Sequence, residues 1–518
     1  MLPDRGTPTT GRPARLPRTV AFLTGTIVAA LSWAYAFAAP PDKGWGINLH
    51  GVRYWSPTLP FKDVFKQAGP WIPQRAGSDT WNTGEPIDLD ATGWIRSLRP
   101  GQEAATVVLL GPHVPAGRYL LTYDGEGEIF VGLDGKIVDR DGRRLVVEVR
   151  PKNSLILKVL KTNPTDPLRN IRLAMPDEAR GAETSPFNPA YLDYLRGFRV
   201  LRFMDWANAN EKVSAEWAER TTIRHATQQQ DRGVALEYMI DLAATLEANP
   251  WFNVPHAASD HYVRNMARLI RTRLPRQLKF YLEYSNEVWN GMFPQHQYAA
   301  QEAARHGLRD ADEFYLQRSL QIFRIFAEEF GGSDRFVRVL GGQAVHLHRA
   351  GRLLSRPGLA NGIDAYAIAP YFGHDLHRAA QPGSNPDTLM ALLAEDLEKT
   401  RRVIRANVEL ARKAGVVLIA YEGGQHVTNP PDKKDFCLAA NRHPQMEALY
   451  ARYMDIWEEE TQGALMVLFA DMSTYGQFGC WGLSEFHGQS LQAAPKLRAV
   501  RERTLRLKHH SGPSGSRP

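Results

Sequence analysis

The sequence predicts an α/β protein in which a (β/α)8 barrel is combined with an all-β sandwich. From residue 186 onward, strand-like runs alternate with helical stretches, which is typical of parallel β/α architecture. Between residues 71 and 176, short β-rich runs alternate with turn signals instead, which indicates a sandwich of about a hundred residues. The chain has 518 residues, more than the roughly 250 that one barrel takes before insertions.

Seven strand-like runs can be recognised in the second part of the chain. They are 200–203, 251–254, 279–284, 338–341, 365–369, 416–420 and 465–470. A closed barrel needs eight strands, and the run 46–54 can supply the missing one. We therefore predict that the barrel begins with a strand and short helix in 45–70, is interrupted by the sandwich in 71–176, and continues through 186–506. The alternative is an independent N-terminal sandwich that begins at residue 45.

The predicted sandwich contains five β-rich runs separated by turns. They cover 106–110, 117–123, 128–133, 145–149 and 154–160. Asp124-Gly125, Asp134-Gly135 and Asp141-Gly142 lie between such runs. Asp-Gly is a strong hairpin dipeptide, so each of the three predicts a β-hairpin. Ahead of the sandwich, the run 61–69 predicts a short helix that ends at Gly69-Pro70.

The charge of the chain gives no reason to expect a nucleic-acid partner. Its 63 basic residues are interspersed with 56 acidic ones, for a net charge of +7, and no basic stripe with interleaved aromatics is present. The sequence also lacks the HExxH, CxxC and GxGxxG patterns. We therefore predict neither a metal site nor an organic cofactor.

The N-terminal segment resembles an export signal. Arginines at positions 12, 15 and 18 precede the apolar run 20–30, and Ala36-Phe37-Ala38 fits a small-x-small cleavage site. This predicts a signal peptide in 1–39 and a periplasmic or secreted protein. An uncleaved membrane anchor is the alternative, because 20–39 is nearly long enough to span a bilayer. At the other end, 507–518 is rich in Gly, Ser, Pro and basic residues and predicts a disordered tail.

Cys437 and Cys480 are the two cysteines of the sequence. They follow two consecutive predicted strands, and in an oxidising compartment they can form a disulfide. Two buried free thiols are the alternative, and the sequence favours neither.

Two predicted strands end in glutamate. The run 279–284 contains Glu283 and is followed by Asn286 and Glu287. The run 416–420 is followed by Glu422 and two glycines. In a (β/α)8 barrel the carboxyl ends of the strands form the active-site face. A polar residue at a strand exit is common, but Glu-x-x-Asn-Glu followed by an indole two residues on is a more specific pattern.

This pattern resembles the fourth, acid/base strand of the cellulase-like clan of retaining (β/α)8 glycoside hydrolases, with family-five-like features. The resemblance implies that Glu287 is the acid/base, that Glu422 is the nucleophile on strand seven, and that β-linked glycans are cleaved by double displacement. It implies a polysaccharide or oligosaccharide substrate and requires no cofactor. The sequence leaves exo and endo cleavage both open, because sandwich loops can close one end of a groove.

The resemblance also implies substrate-binding or supporting roles for other residues at strand ends. The predicted set is Arg202, Asp205, Trp206, His256, Asn286, Trp289, Tyr371 and Trp481. Arg202 is expected to bond the nucleophile, and Asn286 to bond the hydroxyl beside the anomeric carbon. Glu283 is expected to point into the barrel and pair with a cation. Trp206, Trp289 and His256 have core packing as an alternative role.

A non-catalytic carbohydrate-binding protein on the same scaffold is the second functional hypothesis. The sandwich and the aromatic residues near the strand ends permit it, and two carboxyl groups too far apart to cooperate would favour it. The presence of both glutamates, Glu287 and Glu422, favours the hydrolase instead.

Overall fold

The computed structural model describes residues 41–176, 185–211, 215–229, 231–374, 376, 385–429, 435–477 and 479–510. The predicted export signal in 1–39 and the last part of the predicted tail lie outside these residues. Within the described part of the chain, no helix combines the length and apolar character needed to cross a membrane.

Eight parallel strands close into a barrel, as the sequence predicts. In order around the barrel they are β1 (Trp45–Asn48), β12 (Val200–Arg202), β13 (Asn249–Val254), β14 (Phe280–Tyr284), β15 (Phe336–Gly341), β16 (Ala365–Ile368), β17 (Val417–Ala420) and β18 (Met466–Leu468). β1 pairs with β12 on one side and with β18 on the other. Residues 45–48 are therefore a barrel strand, and 71–176 lie between the first and second barrel strands in the chain.

The barrel strands are apolar on both faces because both faces are covered. Along β15, Val337 and Val339 belong to the cluster that fills the barrel interior, whereas Phe336 and Leu340 belong to the larger core shared with the helices. Successive side chains of a strand point to opposite faces, so this alternation follows from the strand geometry.

Ten antiparallel strands form the segment between β1 and β12. They are β2 (Ile72–Arg75), β3 (Asp88–Leu89), β4 (Ile95–Ser97), β5 (Gln102–Leu110), β6 (Gly117–Asp124), β7 (Gly127–Leu133), β8 (Gly135–Asp141), β9 (Arg144–Val149), β10 (Ser154–Thr162) and β11 (Arg169–Ala174). One sheet has the order β2-β5-β10-β7 and another the order β11-β6-β9-β8, and side chains of both contribute to one hydrophobic cluster. We call this segment, 71–176, the insert; that it is a sandwich domain in its own right stays a prediction.

Two of the three predicted Asp-Gly hairpins are wrong. Asp141-Gly142 joins β8 to β9, which pair antiparallel. Asp124-Gly125 and Asp134-Gly135 instead connect strands that belong to different sheets. An Asp-Gly dipeptide favours a tight change of direction, but which strand the chain then pairs with depends on which face of each strand is buried.

The α-helices follow the strands. They are α1 (Pro189–Leu195), α2 (Leu236–Leu246), α3 (Asp260–Arg273), α4 (Pro294–Arg305), α5 (Ala311–Phe330), α6 (Leu347–Leu354), α7 (Pro386–Lys413), α8 (Phe436–Arg442), α9 (Met446–Thr461) and α10 (Pro495–His510).

The boundaries of two predicted segments are corrected by the structure. The helix predicted over 61–69 is a single 3₁₀ turn, Val64–Gln67, in which the Asp63 side chain accepts a hydrogen bond from the Phe65 N–H. At the other end, α10 continues to His510, beyond the start predicted for the disordered tail at residue 507. The strong helix breakers Gly512 and Pro513 come only after that point.

Cys437 and Cys480 form a disulfide bond, which decides between the two alternatives left by the sequence. Cys437 lies in α8, after β17, and Cys480 lies in the segment after β18. The bond therefore ties together two segments that follow adjacent strands at the active-site face of the barrel.

Candidate active site

Arg202, the last residue of β12, is fully buried at the carboxyl end of the barrel and makes four hydrogen bonds. Its Nη1 donates to Glu422 Oε1 at 2.9 Å and to Asn48 Oδ1 at 3.0 Å. Its Nη2 donates to Glu283 Oε2 and to Asn286 Oδ1, both at 2.8 Å. A buried guanidinium is tolerated only when it is paired, and here side chains at the ends of β1, β14 and β17 accept hydrogen bonds from both of its Nη groups, whereas its Nε has no partner among the described residues.

Glu422 directly follows β17 and has a partner on each carboxyl oxygen. Oε1 accepts from Arg202, and Oε2 accepts from the Tyr371 hydroxyl at 2.9 Å. Burial is the largest influence on this group and raises its pKa to about 8, while Arg202 and the Tyr371 hydroxyl act in the opposite direction. The negative charge of Glu287 contributes to this rise in the pKa of Glu422.

Glu287 follows β14 and bonds only neutral donors. The Tyr421 hydroxyl donates to Oε1 at 2.9 Å, and Asn290 Nδ2 donates to Oε2 at 3.1 Å. Burial raises the pKa of this carboxyl, and these two hydrogen bonds oppose the rise. The backbone is strained here, with φ of 58° at Ser285 and 40° at Glu287. Such left-handed conformations in non-glycine residues cost on the order of 1–3 kcal/mol and are frequent at functional sites.

Tyr421 connects the two carboxyl groups. Its hydroxyl bonds Glu287, its backbone directly precedes Glu422, and its ring lies 5.1 Å from the Arg202 guanidinium. The side chains of Glu287 and Glu422 therefore converge on the same end of the barrel and affect each other's ionisation. They are not buried in unrelated ion pairs.

Asn286 has both ends of its side-chain amide oriented. Its Oδ1 accepts from Arg202, and its Nδ2 donates to Asn210 Oδ1 at 3.0 Å. Gln295 Nε2, at the start of α4, donates to the same Asn210 oxygen at 2.8 Å and to the Asn286 carbonyl at 2.7 Å. The residue before Glu287 is thus held in position from both sides.

Glu283 is buried inside the barrel, as expected for a structural carboxylate. Its Oε2 accepts from Arg202 at 2.8 Å, from Trp251 Nε1 at 2.9 Å and from Asn253 Nδ2 at 2.8 Å. These donors leave Glu283 paired with Arg202 inside the barrel.

Tyr371 and Trp481 lie on the Glu422 side of the site. The Tyr371 ring is 5.3 Å from that of His426, and His426 is 5.7 Å from the half-buried indole of Trp481. Phe469 lies edge-on between them, 6.4 Å from Tyr371 and 6.3 Å from Trp481. These aromatic side chains form one wall beside the nucleophile candidate.

Asp205 faces the same centre from the loop after β12. Burial raises its pKa to about 6, and Arg202 and Arg53 act against that rise. Its charge in turn raises the pKa of Glu422. Asp205 therefore lies close enough to Arg202 and Glu422 to affect their charges. Its role toward a substrate stays a prediction.

The three remaining predicted residues are further from this centre. Trp206 is fully buried, donates Nε1 to the His50 carbonyl at 3.1 Å and packs on Phe61 and Phe203. It therefore belongs to the core, not to a sugar-binding surface. His256 is buried against Tyr298, and Trp289 is half-buried; His256 Nδ1 and Trp289 Nε1 have no hydrogen-bond partner among the described residues.

Several residues that shape the site carry no clear signal in the sequence. Tyr421 directly follows the predicted strand 416–420, so its position at the carboxyl end of the barrel could have been anticipated. Asn48 lies inside the predicted run 46–54, and only the structure shows that the strand ends there. Asn210 and Gln295 are ordinary loop and helix residues in the sequence. Their contact with Asn286 arises only when the loop after β12 and the start of α4 meet.

No protein-family model matches the chain, and a comparison with curated proteins finds no match. Solved structures of similar fold include a glucosidase from Croceicoccus marinus, with 12% identity and a TM-score of 0.37 over 60% of this chain and 63% of that one. A protein described as GH10 from Paenibacillus barcinonensis has 12% identity and a TM-score of 0.35, over 64% and 93% of the two chains. Xylanase 10B from Thermotoga maritima has 11% identity and a TM-score of 0.35, over 62% and 90%.

Proposed function

We propose that this chain is a retaining glycoside hydrolase that cleaves β-linked glycans, with Glu422 as nucleophile and Glu287 as acid/base. The observation that carries the proposal is the difference between the two carboxyl environments. Glu422 is bonded to a fully buried arginine, whereas Glu287 is bonded to a phenol and an amide. Pairs of carboxyls whose surroundings separate their protonation states are the requirement for this chemistry.

The ion pair decides where a single shared proton resides. Both carboxyls are disfavoured as anions by burial, and two adjacent charges disfavour each other. Arg202 favours the anion of Glu422 directly, so the proton resides on Glu287. Once Glu287 is neutral, its repulsion of Glu422 is removed, and Arg202 and the Tyr371 hydroxyl oppose the rise that burial causes in the pKa of Glu422. We therefore assign the ionised state to Glu422.

In the first step, a Glu422 oxygen attacks the anomeric carbon while the bond from that carbon to the leaving oxygen breaks. Glu287 donates its proton to the leaving oxygen, and a glycosyl ester on Glu422 results. Glu287, now ionised, then takes a proton from water as the water oxygen attacks the same carbon. The ester bond breaks, Glu422 leaves as a carboxylate, and Glu287 is protonated again.

Neighbouring side chains support these steps. We propose that Asn286, whose amide is held by Arg202 and Asn210, donates its remaining N–H to the hydroxyl next to the anomeric carbon, a contact that strengthens in the transition state. The Tyr371 hydroxyl holds the second oxygen of Glu422. Trp481 offers an indole surface to the apolar face of a sugar ring.

Export of the protein is part of the proposal. The disulfide between Cys437 and Cys480 supports it, because such bonds persist mainly in oxidising compartments. The sequence of 1–39 supports it independently. A polymeric substrate outside the cytoplasm would then be accessible to the enzyme.

The test is covalent trapping with a panel of 2-fluoro glycosides, followed by mapping of the labelled residue. We expect the label on Glu422 and a loss of at least roughly a thousandfold in hydrolysis for Glu422→Gln. Glu287→Gln should lose hydrolysis of β-glucans or β-mannans but still react with activated aryl glycosides, whose leaving groups need no proton. Glu328→Gln, at an exposed ion pair with Arg264, is the matched control. Label on another residue, or unchanged hydrolysis in both variants, would refute the assignment.

A further inference from the structure

A second cavity lies where the insert meets the barrel. It has a volume of about 370 Å³, within the range of small-molecule sites. Its walls come from the segment after β1, from the end of β5 in the insert, and from the segment after β18. β1 and β18 are adjacent barrel strands, so the cavity is on the same face as Glu287 and Glu422.

The lining of this cavity is mostly apolar and aromatic. Trp55 and Leu110 are each 48% exposed, and Phe486 stacks on His113 with ring centroids 3.5 Å apart. Thr474, at the rim, is exposed and provides a hydroxyl. An accessible indole beside a stacked aromatic pair matches the flat apolar face of a pyranose ring, and hydroxyl and imidazole groups match its edge.

The walls of the cavity are held in register by backbone hydrogen bonds. The Leu110 N–H of the insert donates to the Tyr54 carbonyl at 2.9 Å, and the His487 N–H donates to the Pro57 carbonyl at 3.0 Å. The insert is therefore fixed against the segments after β1 and β18, and a rigid cavity binds a ligand without the cost of ordering its walls.

Charged residues connect this cavity to the carboxyl pair. The Arg53 guanidinium lies 6.0 Å from the Trp55 ring and donates to Asn208 Oδ1 at 2.7 Å. Asp205, on the same loop as Asn208, affects the ionisation of both Arg53 and Glu422. Arg53 and Asp205 thus link the surroundings of Trp55 electrostatically with those of Glu422.

We propose that this cavity is a distal sugar-binding site, in which Trp55 and Phe486 hold a terminal unit of the oligosaccharide whose linkage is cleaved at Glu422. That the bound oligosaccharide is cleaved at Glu422 rests on the proposed function. The binding of its terminal unit in the cavity does not depend on hydrolysis. Because Leu110 and His113 of the insert close the cavity on one side, the insert selects the length and the end of the glycan chain that the enzyme accepts.

The experiment compares Trp55→Ala and Phe486→Ala with Phe130→Ala, an exposed aromatic on β7 of the insert that does not line the cavity. Binding of cello-, manno-, xylo- and laminari-oligosaccharides of two to six units is measured calorimetrically, on the wild-type background and on Glu422→Gln. We expect at least one series to bind more tightly as its length increases. Trp55→Ala and Phe486→Ala should each weaken the binding of the longer oligosaccharides of that series by roughly tenfold. Phe130→Ala should leave their affinity unchanged. Circular dichroism of each variant shows whether it is folded.

The outcomes separate the two proposals. Length-dependent binding that depends on Trp55 but is accompanied by no hydrolysis would support the distal site and refute the hydrolase assignment. Hydrolysis whose rate is the same for all chain lengths in the wild type and in Trp55→Ala would refute the distal site alone. Failure of all four series to bind would overturn the distal site as a sugar site.

Discussion

Arg202 and Glu422 form a buried ion pair, with Nη1 and Oε1 2.9 Å apart at the ends of β12 and β17. The same guanidinium also holds Glu283 and Asn286. One cation therefore sets the ionisation of the candidate nucleophile and the position of the residue before the candidate acid/base. Each prediction below perturbs a part of this arrangement.

Replacement of Arg202 by Met should destabilise the protein by about 3–5 kcal/mol, because Glu283 and Glu422 would be left buried without a cation. Loss of the cation raises the pKa of Glu422 in the folded state, so stability is lost as pH rises and is partly recovered as pH falls and this carboxyl is protonated. Urea unfolding at pH 7 and at pH 5 measures this. Arg268→Met, at an exposed pair with Glu329, should cost less than about 1 kcal/mol at either pH.

Tyr371→Phe removes the hydroxyl that bonds Glu422 Oε2. This hydrogen bond stabilises the carboxylate and lowers its pKa, so its loss should raise the pKa of Glu422. The acidic limb of the kcat/KM profile, below which the nucleophile is protonated, should then move to higher pH. An unchanged acidic limb with normal folding would contradict a role for Tyr371 in holding the ionised Glu422.

Tyr421→Phe acts on the other carboxyl and is the matched counterpart. The Tyr421 hydroxyl bonds Glu287 Oε1 and lowers the pKa of that group. Without it the pKa of Glu287 rises, the acid stays protonated to higher pH, and the basic limb of the profile moves upward. Measurement of both limbs in both variants tests the assignment of acid and nucleophile, and a reversed pattern would exchange their roles.

Arg349 anchors the segment that carries Glu287. Its Nη1 donates to the Trp289 carbonyl at 3.0 Å, and its Nη2 pairs with the buried Asp312 of α5. Arg349→Met should slow cleavage of substrates with poor leaving groups by about tenfold, because Glu287 is less well positioned to donate its proton. Activated aryl glycosides should be affected much less.

Arg352→Met is the control for Arg349, since Arg352 pairs with Asp310 and with the same Asp312. If both variants lose activity equally on all substrates, Arg349 supports the helices in general and has no specific effect on the acid/base segment.

The disulfide is expected to stabilise the fold. Cys437 and Cys480 are 43 residues apart in the chain, and closing a loop of that length in the unfolded state corresponds to about 4 kcal/mol. The Cys437→Ser, Cys480→Ser double variant should show this loss in urea unfolding, and dithiothreitol should lower the stability of the wild type but not of the variant. Equal stability of all forms would show that the bond contributes nothing.

The positions of Glu287, Glu422 and Arg202 could be predicted because each lies at or just after the end of an apolar run of strand length. In a parallel barrel, the end of a strand determines on which face the residues that follow it lie. The count of strands likewise predicted a first barrel strand in 46–54, which the structure shortens to Trp45–Asn48. Strand position alone could not show whether Trp206, in the segment after β12, lies in the core or at the surface. The tertiary structure buries Trp206 against Phe61 and Phe203.

The sequence alone therefore determined the barrel, the order of its strands and the two acidic strand ends, since alternation of apolar runs and strand length are local properties of the chain. Only the tertiary structure decided that Arg202 binds Oε1 of Glu422 and that Tyr421 bonds Glu287. It alone also decided that Asp124-Gly125 crosses between sheets and that the insert meets the barrel at Trp55. Those contacts join residues distant in the chain, and they depend on how the strands close and on which faces become buried. No local pattern contains that information.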